Sequence, residues 1–390
     1  MTGLARDRLI DLDGQATTPL AAEALAAMRP FLETNHANPH SAHRAARAAR
    51  AALEAARAEI AALLDVPPAH VILTSGATEA NNLALKGYFL GGEAQGGLLT
   101  FATEHSCVLE TARALARRGV AVTILPVTPE GMPDMAAYRA ALAAGGVALV
   151  SAMRVNNEVG AIWPTAALAA LAHAHGARFH CDAAQAFGKL PCAVGADLGG
   201  ADMVSLSAHK IHGPKGIGAL VVAPDVTLEP LFHGGGQERF RSGTQSPALA
   251  AGFGAAARLA REGMAAHAAH ARALMALALE TLAAAGVRYR INGPDPEGPE
   301  RIPTNLSVTF PGVPAARLIA AVPGVLFSSG AACSSGAGRP SHVLAALGLD
   351  RTAVAQTVRL GWTRETGADD LSAAISAVAK AAARMQNLAA

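Results

Sequence analysis

The sequence predicts an α/β protein with a mainly parallel central sheet covered by helices. Three observations predict it. Short apolar runs alternate with long Ala-rich stretches, the pattern of strands joined by crossover helices. Of the residues, 51% are hydrophobic and 16% are charged, a balance that indicates an ordered globular chain. The 390 residues exceed what one core usually fills, so two domains are expected.

The candidate strands, in order, are VILTSG (71–76), GLLTFATEH (97–105), VAVTILPV (120–127), VALVSAMRVNNE (147–158), RFHCDAAQ (178–185), DMVSLSAHK (202–210) and IGALVVA (217–223). Segments such as ETARALARRG and PTAALAALAHAHG lie between them and read as helices. After Thr244 the pattern changes. A long helical run over about 247–285 leads to the turn-rich PDPEGPERIP and then to TNLSVTF, a further strand. The expected division is a large domain over 16–254 and a smaller α+β domain made of 1–15 and 255–390.

Composition excludes several classes. The net charge is +2, the basic residues are scattered and aromatics are 4%, which does not suit a nucleic-acid groove with stacking platforms. The N-terminal MTGLARDRLIDLDG carries charges where a signal peptide needs an apolar core, and the chain offers no convincing membrane span. Four cysteines without a CxxC pair give neither a disulfide framework nor a metal site. A reducing, cytoplasmic setting is therefore expected. HGGG at 233–236 resembles a hydrolase oxyanion loop, but no GxSxG elbow accompanies it. GFGAAA at 252–257 lies inside a helical run with no preceding strand, so it is no dinucleotide fingerprint.

The chemistry concentrates where strands end. TSGATEANNLAL (74–85) follows a strand and opens a helix. Gly76 permits a tight turn, Thr78 sits in the first helical turn, and the free N–H groups there suit a phosphate. In SLSAHK (205–210), Ser205, Ser207 and His209 would share one strand face. Ser207 and His209 could donate to that phosphate, while Lys210, turned the other way, could form a Schiff base with an aldehyde cofactor. Asp182 could pair with a protonated pyridine nitrogen, Gln185 follows it closely, and His105 could stack on a flat ring. A helix cap, a core histidine or a surface lysine would explain any one of these residues. The shared position of all of them at carboxyl ends of strands is what those readings leave unexplained.

Taken together, the motifs resemble the pyridoxal-phosphate enzymes of fold type I in the class V aminotransferase group, and more narrowly the cysteine desulfurases with the longer active-site loop. The resemblance spans nearly the whole chain: LDGQATTP (12–19), NPHSAH (38–43), TSGATEANNLALKG (74–87), TEHSCVLET (103–111), VNNEVG (155–160), DAAQAFGKLP (182–191), SAHKIHGPKGIGAL (207–220), HGGGQERFRSGT (233–244), SSGAACSSG (328–336) and VRLGW (358–362).

The resemblance implies a role for each site residue. Lys210 would carry the pyridoxal 5'-phosphate as a Schiff base and shuttle the proton. Asp182 would face the pyridine nitrogen, Gln185 the ring oxygen and His105 the ring face. Thr78, Ser207 and His209, with backbone N–H groups near Gly76 and Ala77, would bind the phosphate. Thr244 would reach the cofactor of a neighbouring subunit, implying a homodimer. Asn157 and Arg359 would hold the carboxylate of L-cysteine, since a planar guanidinium matches two carboxylate oxygens.

Cys333, in a polar glycine-rich run expected to form a moving loop, would take the sulfur as a persulfide and pass it to an acceptor protein for iron–sulfur cluster or thio-cofactor synthesis. Cys107, Cys181 and Cys192 read as packing residues, and Lys215 as structural or surface. A class V aminotransferase or a selenocysteine lyase is the alternative.

Three departures stand out. Ala208 replaces a glycine before the His-Lys pair. Gly361 in VRLGW replaces a serine. The chain ends at Ala390 without the longer tail of the housekeeping desulfurases.

Overall fold

The computed structural model describes residues 9–92, 94–329 and 340–389. Its first strand, β1 (Ile10–Asp11), lies apart from the main sheet. That sheet holds β2 (Val71–Thr74), β3 (Gly97–Phe101), β4 (Val122–Leu125), β5 (Val147–Met153), β6 (Arg178–Asp182), β7 (Met203–Ser207) and β8 (Gly218–Val222), in the order β2-β8-β7-β6-β5-β3-β4. All seven expected strands are present.

Their continuous apolar runs follow from burial on both faces: every residue of β3, β6 from Phe179, β7 and β8 is buried. β4 closes one edge and leaves Ile124 41% exposed. The pairs β3–β4, β3–β5, β5–β6 and β6–β7 are parallel. β8 runs antiparallel to both β2 and β7, because the link Ala208–Ile217 is too short for a crossover helix. Its first residues therefore lie beside the carboxyl ends of β2 and β7.

Phe101, Tyr138 and Trp163 pack beneath this sheet, with the Phe101 and Trp163 rings 5.0 Å apart and edge-on. Helix Pro247–Ala284 starts at Ser246, whose side chain accepts from the Leu249 N–H. A Cβ on Gly252 would press on Met28, and one on Gly254 on Ala56. The GFG motif thus serves close helix packing.

The same helix runs from the first core, through Phe253 and Ala260, to a second core through Leu274 and Leu282. This second core backs a smaller sheet of β9 (Arg290–Asn292), β10 (Asn305–Thr309), β12 (Ser328–Ser329) and β13 (Thr357–Gly361), in the order β12-β13-β10-β9. β11 (Val325–Leu326) pairs in parallel with β1. The N-terminal segment thereby joins the C-terminal part of the chain. No helix among the described residues is long and apolar enough to cross a membrane.

Candidate active site

A cavity of about 590 Å³ opens where the strands of the main sheet end, a size suited to a small-molecule site. Gly76, Ala77, Thr78, His105, Asn157, Asp182, Gln185, Ser207, His209, Lys210 and Arg359 all line it. Every cavity residue expected from the sequence is there. Thr244 is not: it stands exposed on the segment before the long helix, away from its own chain's cavity. Cys333 lies outside the described residues. The described residues on either side of it are tied to the site. Ser328 Oγ donates to Asp13 at 2.8 Å, Ser341 Oγ to Glu158 at 2.5 Å, and His342 Nε2 to the Glu104 carbonyl at 2.8 Å.

The floor is built from β2, β6 and β7. Gly76 has φ of +152° and ends the turn after β2, a conformation that side-chain-bearing residues rarely adopt. A Cβ there would meet nothing within 4 Å, so the position opens as a cradle. Across it, a Cβ on Gly218 would overlap the Leu206 carbonyl and crowd Gly76, so glycine alone lets β8 approach. The Asp182 carboxylate accepts 2.7 Å from Asn81 Nδ2 and 2.9 Å from the Ala184 N–H. These bonds aim it into the cavity.

His105 caps the helix Ser106–Ala116, its Nδ1 accepting from the Cys107 N–H at 3.2 Å. The proton of the neutral ring therefore sits on Nε2. Burial pushes the His105 pKa down, against the pull of Asp182. Burial also raises the adjacent Glu104 well above the usual carboxylate range, reinforced by Asp182.

β7 ends at Ser207, and a 3-10 turn, Ala208–Lys210, follows. This corrects the strand-face reading. Ser205 and Ser207 share a face as expected, with Ser205 one step deeper and bonding His180 at 2.9 Å in the core, but the strand ends before His209, and the turn instead brings His209 and Lys210 into the same cavity. Ala208 fits in place of glycine because Gly213, packed against it, has no Cβ. Burial, with Lys210, Lys215 and Lys189, pushes His209 down to about 4. Its neutral ring bonds Thr17 at 3.1 Å. Lys210 Nζ donates to the carbonyls of Gln15 at 2.6 Å and Ala16 at 2.8 Å.

Arg359 Nη1 donates to the Asn157 carbonyl at 3.2 Å and Nη2 to Asp13 at 2.8 Å. Lys215 is exposed and borders the cavity mouth.

Sequence reasoning missed several participants. Asn81, fully buried, bridges Asp182 and Cys107; an asparagine inside a buried helix face was its only signal. The backbone of Gln15 and Ala16 left none. Cys107 is also corrected: it lines the cavity, and burial with Asp182 pushes its thiol up to about 12. It forms an inert wall and no thiolate. Cys181 and Cys192 are core residues, as expected.

An anion cradle, a carboxylate and an imidazole around one lysine accommodate pyridoxal phosphate, and the fold and site define a pyridoxal-phosphate-dependent enzyme of the fold type I class. The class V aminotransferase family profile matches residues 10–373. The chain is 38% identical to the cysteine desulfurase IscS of Rickettsia bellii, over 97% of this chain and 92% of that one. Among solved structures, a NifS-like protein superposes with a TM-score of 0.87 at 30% identity, covering 95% of this chain and 98% of the other. SspA in complex with cysteine gives 0.78 at 34% identity, over 91% and 99%. The protein belongs to the cysteine desulfurases of the class V aminotransferase family.

Proposed function

We propose that the protein converts L-cysteine to L-alanine and moves the sulfur to Cys333 as a persulfide. The observation that carries this reading is the convergence of Lys210, Asp182, His105 and Arg359 on one cavity. Bound there, pyridoxal phosphate supplies an aldehyde for Lys210 and a ring that takes up the electrons of the substrate Cα–H bond. Gly76, Ala77, Thr78, Ser207 and His209 hold its phosphate.

Asp182, held in place by Asn81 and the Ala184 N–H, would face the ring nitrogen and favour a proton there. Gln185 would donate to the ring oxygen and His105 would cover the ring. Lys210 Nζ removes the Cα proton and returns it, a task usually contributing 10²–10⁴-fold. Arg359 and Asn157 grip the substrate carboxylate. The Cys333 thiolate attacks the substrate sulfur and forms an S–S bond as the Cβ–S bond breaks. The electron pair of that bond stays on the carbon skeleton, where Cβ takes up a proton to become the methyl of alanine, and the sulfur leaves on Cys333.

Thr244 completes the site of a neighbouring subunit in a homodimer. The chain divides into a large domain over 16–254 and a smaller one of 1–15 and 255–390, to which Gln15 and Arg359 of the cavity lining belong. A cytoplasmic setting suits the free thiols of Cys107, Cys181 and Cys192, and the sulfur passes to an acceptor protein.

An absorbance spectrum of the purified protein tests the reading. A visible cofactor band that changes on adding cysteine, with alanine formed, supports it. A colourless protein that forms no alanine overturns it.

A further inference from the structure

After β6 the chain winds through tight turns. Phe187 bonds back to the Ala183 carbonyl, and Lys189 and Leu190 both bond to that of Ala186. The winding returns Lys189 to Gln185, and Nζ donates to Gln185 Oε1 at 3.0 Å. Gly188 makes this approach feasible. Its φ is +69°, and a Cβ there would press on Ala260 and on Ile211, the neighbour of Lys210.

The orientation of the Gln185 amide is fixed from both ends. An ammonium has no lone pair to offer, so the atom facing Lys189 is the oxygen. A carbonyl has no proton, so the atom 2.9 Å from the Gln15 carbonyl is Nε2. The same Gln15 carbonyl accepts from Lys210 at 2.6 Å. The side chains of Lys189 and Lys210 are thus joined through one amide and one carbonyl. Of the two Nε2 protons, one is taken, and the other is what Gln185 offers to the cavity.

We propose that Lys189 is a positioning residue of this active site, one that locks Gln185 as a donor toward the ring oxygen and sets a positive charge beneath Lys210. The inference rests on the pyridoxal phosphate reading above. Lys189 lies behind the site, on a separate small cavity of about 90 Å³ shared with Lys210, His212, Trp362 and Arg364. Burial, then Lys210 and Arg359, push its own pKa down to about 7. The repulsion is mutual, so Lys189, while it is protonated, makes a proton on the Lys210 nitrogen easier to lose. A flipped Gln185 would put a carbonyl oxygen against the ring oxygen and hold that proton more tightly.

The other titratable and charged groups around the two lysines are Glu79, His105, Cys107, Asp182, His209, Lys215 and Arg359 on the cavity side, and His212, His267, Arg272 and Arg364 behind. Substituting Lys189 leaves each of them in place.

The test is the pH midpoint of the visible cofactor band, measured without substrate on purified holoenzyme. In Lys189→Met the midpoint rises by about one unit, the size of one charge-assisted hydrogen bond. Lys189→Arg, which keeps donor and charge, stays near the parent. Should Lys189→Met fold poorly, Lys189→Gln, which keeps a donor and loses the charge, shows a smaller rise. A midpoint unchanged within about 0.2 unit in the uncharged variants, against the one-unit expectation, overturns the proposal. That result leaves the cofactor band intact, which separates it from a colourless parent protein, where the enzyme reading itself fails.

Discussion

One oxygen of Asp13 accepts both the Arg359 guanidinium and the Ser328 hydroxyl, each at 2.8 Å. The Arg359 side chain is only 6% exposed, so its charge relies on these partners. Asp13 holds one edge of the planar fork and the Asn157 carbonyl another, which fixes the plane in which a substrate carboxylate would be gripped.

A lysine at position 359 would keep the charge and lose the fork. Arg359→Lys should therefore raise KM for cysteine by about 10-fold or more, the lower end for a charge-assisted hydrogen bond. The turnover number should fall less. Steady-state kinetics check this, and an unchanged KM would remove Arg359 from substrate recognition.

Gly361 replaces the serine usual in the family, and the structure supplies a reason. A Cβ at this position would overlap Gln15 Oε1, while Gln15 Nε2 donates to the Thr304 carbonyl at 2.8 Å. The glutamine amide occupies the space that a serine side chain would need. Gly361→Ser alone should cost roughly 1–3 kcal/mol of stability through overpacking. Adding Gln15→Ser should recover most of it, because the two positions share one volume. Denaturation midpoints of the four holoenzymes decide it, and strictly additive effects would contradict the account.

The Cys333→Ala variant separates sulfur transfer from cofactor chemistry. Lys210, Asp182 and His105 remain, so the cofactor band and its response to cysteine should persist. Sulfide release in the presence of a reductant should fall to background. A variant that still releases sulfide at the parental rate would assign the nucleophile elsewhere. Cys107 is a poor substitute, because its thiol is raised to about 12.

The sequence made the strand ends legible, because each combines an apolar run with a polar cluster, and parallel topology brings such ends together. Thr78, His105, Asp182 and Lys210 were found that way. Asn81 and Cys107 were not: both face inward from helices, where residue type alone does not separate packing from a site. The carbonyls of Gln15 and Ala16 meet Lys210 across some 195 residues, and main-chain acceptors carry no residue signature. The reversal of β8 was also missed, although the short turn after Lys210 excludes a crossover. His209 was placed in the cavity for the wrong reason, since strand alternation stops at Ser207.

His180 gives a prediction independent of the cofactor. It is fully buried, with Nδ1 2.9 Å from Ser151 Oγ and Nε2 2.9 Å from Ser205 Oγ. Two hydroxyls satisfy a neutral ring, since each either donates or accepts. Burial pushes its pKa down to about 4, with Asp182 pulling the other way. In the unfolded chain the ring titrates near 6.5. Between those values the unfolded chain binds a proton that the folded protein refuses. The stability from this residue is therefore complete above about pH 6.5 and drains away as pH falls toward 4. Its size is about 3 kcal/mol over the whole window. His209 and His212, also pushed down to about 4, add to the same slope. His180→Gln removes one contributor and keeps a polar group between the serines. Chemical denaturation of the holoenzymes at about pH 7.5 and about pH 5 should show a smaller acid loss in the variant than in the parent. Equal losses would mean that His180 does not stay neutral in the folded protein.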